Sequence, residues 1–178
     1  MGNQKGKFND EFRIASSRMQ SWDYSKNAAY HVTICTQNKI HLFGNVVDEK
    51  MNLNETGFLA EKYWCEIPEH FSFVKLDEFV IMPNHVHGII IIDKPNRDKA
   101  VPCLYGNDRF QNQGKESLSS IVGSFKSIVT KYARKIDLQF AWQPRFYEHI
   151  IRDRQDYLNT IDYIRDNPKK WQEDEYNE

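Results

Sequence analysis

A nearly unbroken apolar run occupies residues 79–92 and contains Pro83 and Asn84 near its middle. Pro and Asn favour turns, whereas the β-branched residues on either side favour strands, so the run predicts two strands joined by a tight turn. The second strand, residues 85–92, is apolar on both faces and has no proline. This pattern is typical of a central strand in a sheet.

Hydrophobic periodicity predicts the other elements in the same way. Alternation indicates strands, and apolar residues three and four positions apart indicate helices. In chain order we expect a first strand over 30–36, an edge hairpin over 42–53 that turns near Asp48-Glu49, a helix over 55–67 capped by Asn54 and ended by Pro68, a strand over 74–82, a strand over 85–92, a helix beginning at Leu118, a short strand within 141–151 and a final helix over 153–166.

This order of elements predicts an α+β fold. Strands and helices alternate, and two of the strands are consecutive. The order suits a ferredoxin-like antiparallel sheet with helices packed on one face, to which the chain adds a C-terminal helix.

The length of 178 residues predicts one principal domain. We assign it to residues 22–171, preceded by a flexible N-terminal arm over 1–21 and followed by a loose acidic tail over 172–178. The polar stretch 93–116 is long for a loop without structure of its own, which predicts a functional or disordered segment.

Cysteine usage and hydropathy predict a cytoplasmic protein without a membrane anchor. The cysteines number three, lie far apart and form no Cys-x-x-Cys pair. No apolar run approaches the roughly 18 residues of a membrane helix, and no signal-peptide pattern opens the chain.

Net charge is −1, but the charge is unevenly distributed. Residues 118–171 hold ten Lys and Arg against six Asp and Glu. A locally basic half is either an ordinary solvated face or a surface that suits a phosphate backbone.

Two histidines, His85 and His87, lie in the predicted central strand. Because strand side chains alternate, both imidazoles point to the same face with only Val86 between them. Neutral imidazoles placed this way either bind one divalent cation or are core histidines bonded to the backbone.

The final predicted helix has an apolar stripe of Tyr157, Leu158, Ile161 and Ile164. Tyr163 lies away from that stripe, on a polar face that it shares with Asn167 four residues later. Pro168 is expected to move Asn167 out of helical geometry and let its side chain turn towards a neighbouring site. The alternative is an ordinary surface tyrosine beside an asparagine at a helix end.

Two imidazoles, an amide oxygen and a phenol together suggest phosphodiester chemistry. A mixed N/O site with few charges suits Mg²⁺ or Mn²⁺ when substrate oxygens complete the coordination shell. A phenol with a free pKa of about 10 needs activation before it can act as a nucleophile. Tyr147 and Tyr157 are rival nucleophiles, but neither has the arrangement of Tyr163.

Three motifs in this order resemble the single-tyrosine HUH transposases, in particular the REP-associated tyrosine transposase branch. The motifs are residues 82–87 (MPNHVH), 142–152 (WQPRFYEHIIR) and 162–168 (DYIRDNP). The resemblance covers about residues 24–171 and implies a ferredoxin-like fold, Mg²⁺ or Mn²⁺ held by His85, His87 and Asn167, and Tyr163 as nucleophile. Asn167, where some relatives have Gln, favours the REP-associated branch.

The resemblance also implies single-stranded DNA, often with a hairpin, as the substrate. The enzyme would cleave and rejoin it through a covalent 5′-phosphotyrosine, as a homodimer or a monomer. Two alternatives remain: a catalytically silent hairpin-DNA-binding module of the same fold, and a phosphodiesterase in which water attacks. Candidate DNA contacts are Lys126, Lys131, Arg134, Arg145, His149 and Arg152 for phosphates, and Trp22, Tyr24 and Trp142 for base stacking.

Overall fold

The computed structural model describes residues 22–95, 116–174 and 176–177 of the chain. Within these ranges the chain forms β1 (Ala28–Cys35), β2 (Gly44–Val47), β3 (Lys50–Leu53), α1 (Glu55–Cys65), α2 (Ile67–His70), β4 (Val74–Ile81), β5 (His85–Ile92), α3 (Leu118–Ala133), β6 (Tyr147–Ile151) and α4 (Arg154–Asp166).

Four strands form an antiparallel sheet in the order β4-β5-β1-β6, and β2 pairs with β3 as a separate hairpin. Without the hairpin, the connections are strand, helix, two strands, helix, strand. This is the ferredoxin-like arrangement, so the predicted fold class is confirmed. β5 lies between β4 and β1, which confirms its predicted central position.

The two faces of the sheet differ in chemistry because side chains alternate along each strand. One face carries Val32 and Ile34 of β1 and Ile90 of β5, which pack with residues of α1 and α3 in the main core. Gly88 belongs to this face, and a Cβ there would lie 2.3 Å from a ring carbon of Trp64 in α1. The glycine therefore allows α1 to approach the sheet closely.

The opposite face carries His31 and Thr33 of β1 and His85 and His87 of β5. α4 packs on this face, since the Tyr163 hydroxyl lies beside His87. The sheet thus separates an apolar layer with two helices from a polar layer with one.

Local sequence signals explain where two of the helices begin and where the β2–β3 hairpin turns. The Asn54 side chain accepts a hydrogen bond from Gly57 N at 2.9 Å and caps α1. The Asp153 side chain caps α4 in the same way through Asp156 N at 2.9 Å. Asp48 and Glu49 both have positive φ, 48° and 61°, the backbone that a tight hairpin turn requires.

The short strand predicted within 141–151 is confirmed as β6, and Trp142 before it forms an isolated bridge with Thr36. Two other local predictions are wrong. Pro68 does not end a helix; it lies in the first turn of the short helix α2, where its missing N–H costs nothing. Asn167 keeps helical dihedrals (φ −56°, ψ −44°), because main-chain hydrogen bonds from Lys169 and Lys170 to Asp166 O continue the turn past Pro168.

The predicted arm over 1–21 and most of the predicted loop over 93–116 lie outside the described residues. Among the helices of the described ranges, none has the length and hydrophobicity needed to cross a membrane.

Candidate functional site

β5 places the two histidines of the predicted metal pair side by side. His85 is 0% exposed and His87 is 1% exposed. Their ring centroids lie 4.4 Å apart. Both point to the polar face because two positions separate them along the strand. The buried pair is therefore positioned by the strand geometry that the sequence predicts.

Asn84 determines which nitrogen of His85 carries the proton. The Asn84 amide nitrogen donates hydrogen bonds to Lys39 O (3.0 Å) and Tyr176 O (2.6 Å). Its Oδ1 therefore faces His85 Nδ1, at 2.8 Å. An amide oxygen only accepts hydrogen bonds, so Nδ1 is the protonated nitrogen and Nε2 keeps its lone pair.

His87 lies between Thr33 and Tyr163. Its Nδ1 is 2.9 Å from Thr33 Oγ1, and its Nε2 is 3.3 Å from the Tyr163 hydroxyl. Tyr163 is 43% exposed, so the phenol contacts the buried pair while part of it remains open to solvent. The phenol and both histidines come from one chain.

Asn167 lies next to His85 on the other side of the pair. Asn167 is 3% exposed, and its side chain lies near enough to His85 to raise the pKa of that ring. Yet within the described ranges neither Asn167 Oδ1 nor His85 Nε2 has a well-directed hydrogen bond. Two buried acceptor atoms, each with a lone pair, therefore lie near each other without a donor between them. Such atoms normally have a partner.

The environment of the histidines keeps them neutral at neutral pH. Burial lowers the pKa of His85 to about 3, and His41 adds to this effect while Asn167 opposes it. Burial also lowers the pKa of His87 well below its usual value, with His85 and His31 adding to the effect. Neutral imidazoles are the form that binds metal ions.

Donor chemistry and burial both fit a divalent cation held by His85, His87 and Asn167. In the part of the chain that the structure describes, no three His, Cys, Asp or Glu side chains are grouped to hold an ion. The candidate site differs from such clusters because its third donor is an amide oxygen. Two nitrogens and one neutral oxygen leave room for substrate oxygens.

Some residues that were not predicted from the sequence also border the site. His31 of β1 has its ring centroid 5.3 Å from that of His87 and 5.8 Å from that of Tyr163. Tyr176 packs on His85 at 4.7 Å between ring centroids, although we expected its segment to be a loose tail. The period-two pattern of β1, which puts His31 and Thr33 on one face, was the signal that could have identified these two strand residues.

α4 packs on the sheet with a face that only partly overlaps the predicted apolar stripe. Thr160, Ile164 and Asn167 are buried, whereas Leu158 of the stripe is 43% exposed. The helix is rotated from the predicted orientation towards its polar side, which faces the histidines of the sheet. This orientation brings Tyr163 and Asn167 to the histidines.

A bulge in β4 fastens α4 to the sheet. The pairing of β4 with β5 shifts between Leu76 and Phe79. The two residues in between meet α4: Tyr157 OH donates to Asp77, and Arg165 Nε and Nη2 donate to Glu78 Oε2 at 2.8 Å and 2.7 Å. Tyr157, one of the two rival nucleophiles, is therefore hydrogen-bonded to a carboxylate.

The aromatic residues predicted to stack on bases belong to the protein interior instead. Trp142 is 9% exposed, and its ring packs near those of Phe43, Phe125 and Phe140. Little of this ring is exposed, which does not favour the predicted stacking on a base. Trp22 and Tyr24 are half-buried against the same core, and Trp22 Nε1 donates to Tyr30 OH at 3.2 Å.

The predicted phosphate contacts separate into two groups. Lys126, Lys131, Arg134 and Arg145 line one groove beside α3. His149 lies on the edge strand β6, and its Nε2 is 2.9 Å from the Asp156 carboxylate. The same carboxylate accepts a hydrogen bond from the Arg152 main-chain N–H at 3.0 Å. Tyr147, the other rival nucleophile, is 50% exposed on β6.

Comparison with known proteins finds relatives of this chain in bacteria. A protein of Haemophilus influenzae of uncharacterised function is 40% identical over 163 residues, which cover 90% of this chain and 91% of that protein. A second H. influenzae protein, provisionally named REP-associated tyrosine transposase, is 28% identical over 83% of this chain and 74% of its own length. The Escherichia coli REP-associated tyrosine transposase is 29% identical over 96 residues, 54% of this chain and 45% of that protein. These similarities support a transposase of the REP-associated tyrosine type.

The fold of this family agrees with the sheet described above. A solved REP-associated tyrosine transposase bound to a REP hairpin superposes with a TM-score of 0.60 and 21% identity, over 89% of this chain and 74% of that one. No family model matches the chain. The similarity to REP-associated tyrosine transposases supports an enzyme of the DNA transposase type.

Proposed function

We propose that the chain cleaves and rejoins single-stranded DNA through Tyr163, next to a hairpin in the DNA. The observation that supports this most directly is the position of the Tyr163 hydroxyl, 3.3 Å from Nε2 of the buried, neutral His87. The hairpin is inferred from the relative that was solved bound to one.

The reaction forms one bond and breaks another at phosphorus. The Tyr163 oxygen attacks the scissile phosphate, and the bond from phosphorus to the 3′ oxygen of the preceding nucleotide breaks. The phenolic proton is lost, and the departing oxygen takes up a proton to become a 3′-hydroxyl. Because the new phosphotyrosine bond is again a phosphoester, a 3′-hydroxyl can attack it in turn and rejoin the strands.

His85, His87 and Asn167 would hold a divalent ion, Mg²⁺ or Mn²⁺. When bound, such an ion polarises a phosphodiester and stabilises negative charge on its oxygens. Within this chain, β5 fixes the two rings, Asn84 directs the lone pair of His85 Nε2 outward, and α4 brings the amide oxygen and the phenol to the same place. Burial keeps both rings neutral, which avoids competition between protons and the ion.

A covalent adduct tests the proposal. Hairpin DNA with a single-stranded flank, labelled at its 3′ end, is incubated with the protein and Mn²⁺ or Mg²⁺. We expect labelled protein in a denaturing gel, because the 5′-phosphate of the labelled fragment remains on Tyr163. Tyr163→Phe should form no adduct, whereas Tyr147→Phe, which removes an exposed hydroxyl elsewhere, should retain it. Adduct formed by Tyr163→Phe would contradict the assignment of the nucleophile.

A silent DNA-binding module is a second candidate function. The observation that favours it is the packing of Tyr176 on His85, which restricts approach to that ring in the structure. It predicts hairpin binding by the wild-type protein with no adduct in either metal ion. Cleaved DNA without an adduct, formed also by Tyr163→Phe, would instead indicate attack by water.

A further inference from the structure

A groove of about 700 Å³ runs along α3, on the layer of the sheet opposite the histidines. The outward face of α3 forms one wall, and residues 141–146, which lead into β6, form the other. Lys126 joins the walls, because its amino group donates to Gln143 O (2.7 Å) and Arg145 O (2.9 Å). Arg145 has a left-handed backbone (φ 70°), an unfavourable conformation for a residue other than glycine. The hydrogen bonds of Lys126 therefore hold the two walls of the groove together.

The groove is strongly positive in a chain whose net charge is −1. Lys126, Lys131, Arg134 and Arg145 all line it. Among the described residues that line it none is acidic, and α3 has no Asp or Glu along its length. Four cations without a carboxylate between them favour a polyanionic partner.

Gly123 opens the floor of the groove in the middle of α3. A glycine inside a helix is unfavourable because it loses more backbone freedom than other residues. Close packing often explains such a glycine, but a Cβ at Gly123 would meet nothing within 4 Å in the described residues. Packing among the described residues does not account for this glycine, whereas the close approach of a ligand to the helix would.

The lining suits a phosphate backbone better than unpaired bases. Proteins that bind single strands offer exposed aromatic rings on which bases stack. Here Trp142 is buried and Phe146 is only half-exposed, and the rest of the lining is mainly cations and the hydroxyls of Ser127 and Thr130. Such a surface fits a duplex, whose bases are already stacked.

Main-chain hydrogen bonds connect the groove to the end of the sheet that carries His85. Gln143 N donates to Cys35 O, and Gln37 N donates to Ala141 O, both at 2.9 Å. Cys35 is the register partner of His85. At about 4.8 Å per strand, the main chain at Trp142 lies roughly 10 Å from that of β5. A duplex in the groove can therefore send a single-stranded flank around this end of the sheet to Tyr163.

We propose that this groove binds the phosphate backbone of the stem of the DNA hairpin. The proposal rests on the proposed function for the identity of the DNA, and it adds a binding site separate from the tyrosine site. The groove positions the stem on one layer, and the flank is cleaved on the other.

A pair of variants of equal size tests the role of the groove. Gly123→Glu and Gly123→Gln place side chains of the same shape in the groove, and only one of them is charged. The probe is a fluorescein-labelled hairpin with a stem of one helical turn and an unpaired flank, and binding is followed by fluorescence anisotropy. At low salt we expect Gly123→Glu to bind roughly tenfold more weakly than Gly123→Gln, with the difference shrinking as salt is raised.

Neutral substitutions provide an independent measurement. Lys131→Gln and Arg134→Gln should each reduce the slope of log affinity against log salt concentration by about 1, as expected for the loss of one phosphate contact. Lys75 of β4 pairs with Asp93 away from the groove, and Lys75→Gln should leave the slope unchanged. The pair Asn52→Glu and Asn52→Gln, on the β2–β3 hairpin, controls for the added negative charge.

The outcomes separate this proposal from the proposed function. Equal hairpin affinities for Gly123→Glu and Gly123→Gln would overturn it. The proposal would also be overturned if Gly123→Glu weakened binding of the unpaired flank alone as much as binding of the hairpin, because the groove would then bind single strands. Weaker binding of Gly123→Glu than of Gly123→Gln that is seen only with hairpins would support it. The absence of a Tyr163 adduct in the wild-type protein would count only against the proposed function.

Discussion

At the scale of single residues, Asn84 controls the chemistry of the histidine beside it. In the sequence it belongs to a Pro-Asn turn. In the structure both of its amide hydrogens are used by main-chain carbonyls, so its oxygen can only face His85 Nδ1. Interactions of this kind, behind a metal ligand, orient the ring and select its tautomer.

Replacing Asn84 should therefore weaken metal binding without removing a ligand. In Asn84→Ala the His85 ring loses the acceptor that holds its proton on Nδ1, and we expect the affinity for Mn²⁺ to fall by roughly 10- to 100-fold. Mn²⁺ binding followed by electron paramagnetic resonance measures this without DNA. Asn52→Ala, at an exposed position, is the matched control. Unchanged affinity in Asn84→Ala would show that the tautomer is fixed by other means.

At the scale of elements, α4 is attached to the sheet mainly by polar contacts. The carboxylates of Asp77 and Glu78 leave the β4 ladder at the bulge and bind Tyr157 and Arg165 of α4. These contacts lie on either side of Tyr163 along the helix. They fix the rotation of the helix on a sheet face that offers little apolar surface.

Loss of one such contact should affect the reaction more than stability. Arg165 is 61% exposed at its side chain, and exposed ion pairs contribute little to stability. We expect Arg165→Gln to leave the midpoint of thermal unfolding nearly unchanged but to slow adduct formation several-fold, because a small displacement of Tyr163 is costly. Single-turnover adduct kinetics measure the rate. Lys75→Gln, which breaks another exposed ion pair, should be neutral in both assays. Equal rates for the two variants would exclude a positioning role for Arg165.

At the scale of the whole molecule, one sheet separates a layer that provides stability from a layer that carries the candidate chemistry. The apolar face has the main core with α1 and α3. The polar face holds three neutral histidines near α4, of which His85 and His87 are buried and His31 is partly buried. Burial is the largest cause of the lowered pKa of each of them.

Burial of neutral histidines makes the free energy of unfolding depend on pH. The pKa of His31 falls from 6.5 in a free side chain to about 4 in the fold, and that of His85 to about 3. The unfolded chain therefore binds more protons between about pH 4 and 6.5, and stability is lost as pH falls through this window. Above pH 7 these groups contribute no pH dependence.

Urea unfolding in the presence of a chelator, between pH 5 and 6.5, measures this loss. Near pH 5.5, replacing His31 should reduce the pH slope of the free energy of unfolding by about 1.2 kcal/mol per pH unit, because the unfolded side chain then binds nearly one proton more than the folded one. The variant His31→Gln removes the titrating group, and His70→Gln, at an exposed position, is the control. The same slope in His31→Gln and wild type would show that His31 does not take up this proton on unfolding.

Much of the fold was predictable from the sequence because it depends on local periodicity. The apolar run of residues 85–92 placed β5 in the centre of the sheet, and the period of two along a strand put His85 and His87 on one face. Helical periodicity predicted α3, and the cap at Asn54 predicted where α1 begins. The spacing of Tyr163 and Asn167 placed them on one face of a helix. Each of these features is decided by residues that are neighbours along the chain.

Tertiary structure alone decided how these pieces meet. An apolar stripe predicts the buried face of a helix only when its partner is apolar, and α4 packs on a polar face, so Leu158 is exposed and Asn167 is buried. The environment of Trp142 and the hydrogen bonds of Asn84 likewise depend on residues far away in the chain. The sequence determined which groups are available on each element, and the packing of α4 on the sheet determined which of them come together.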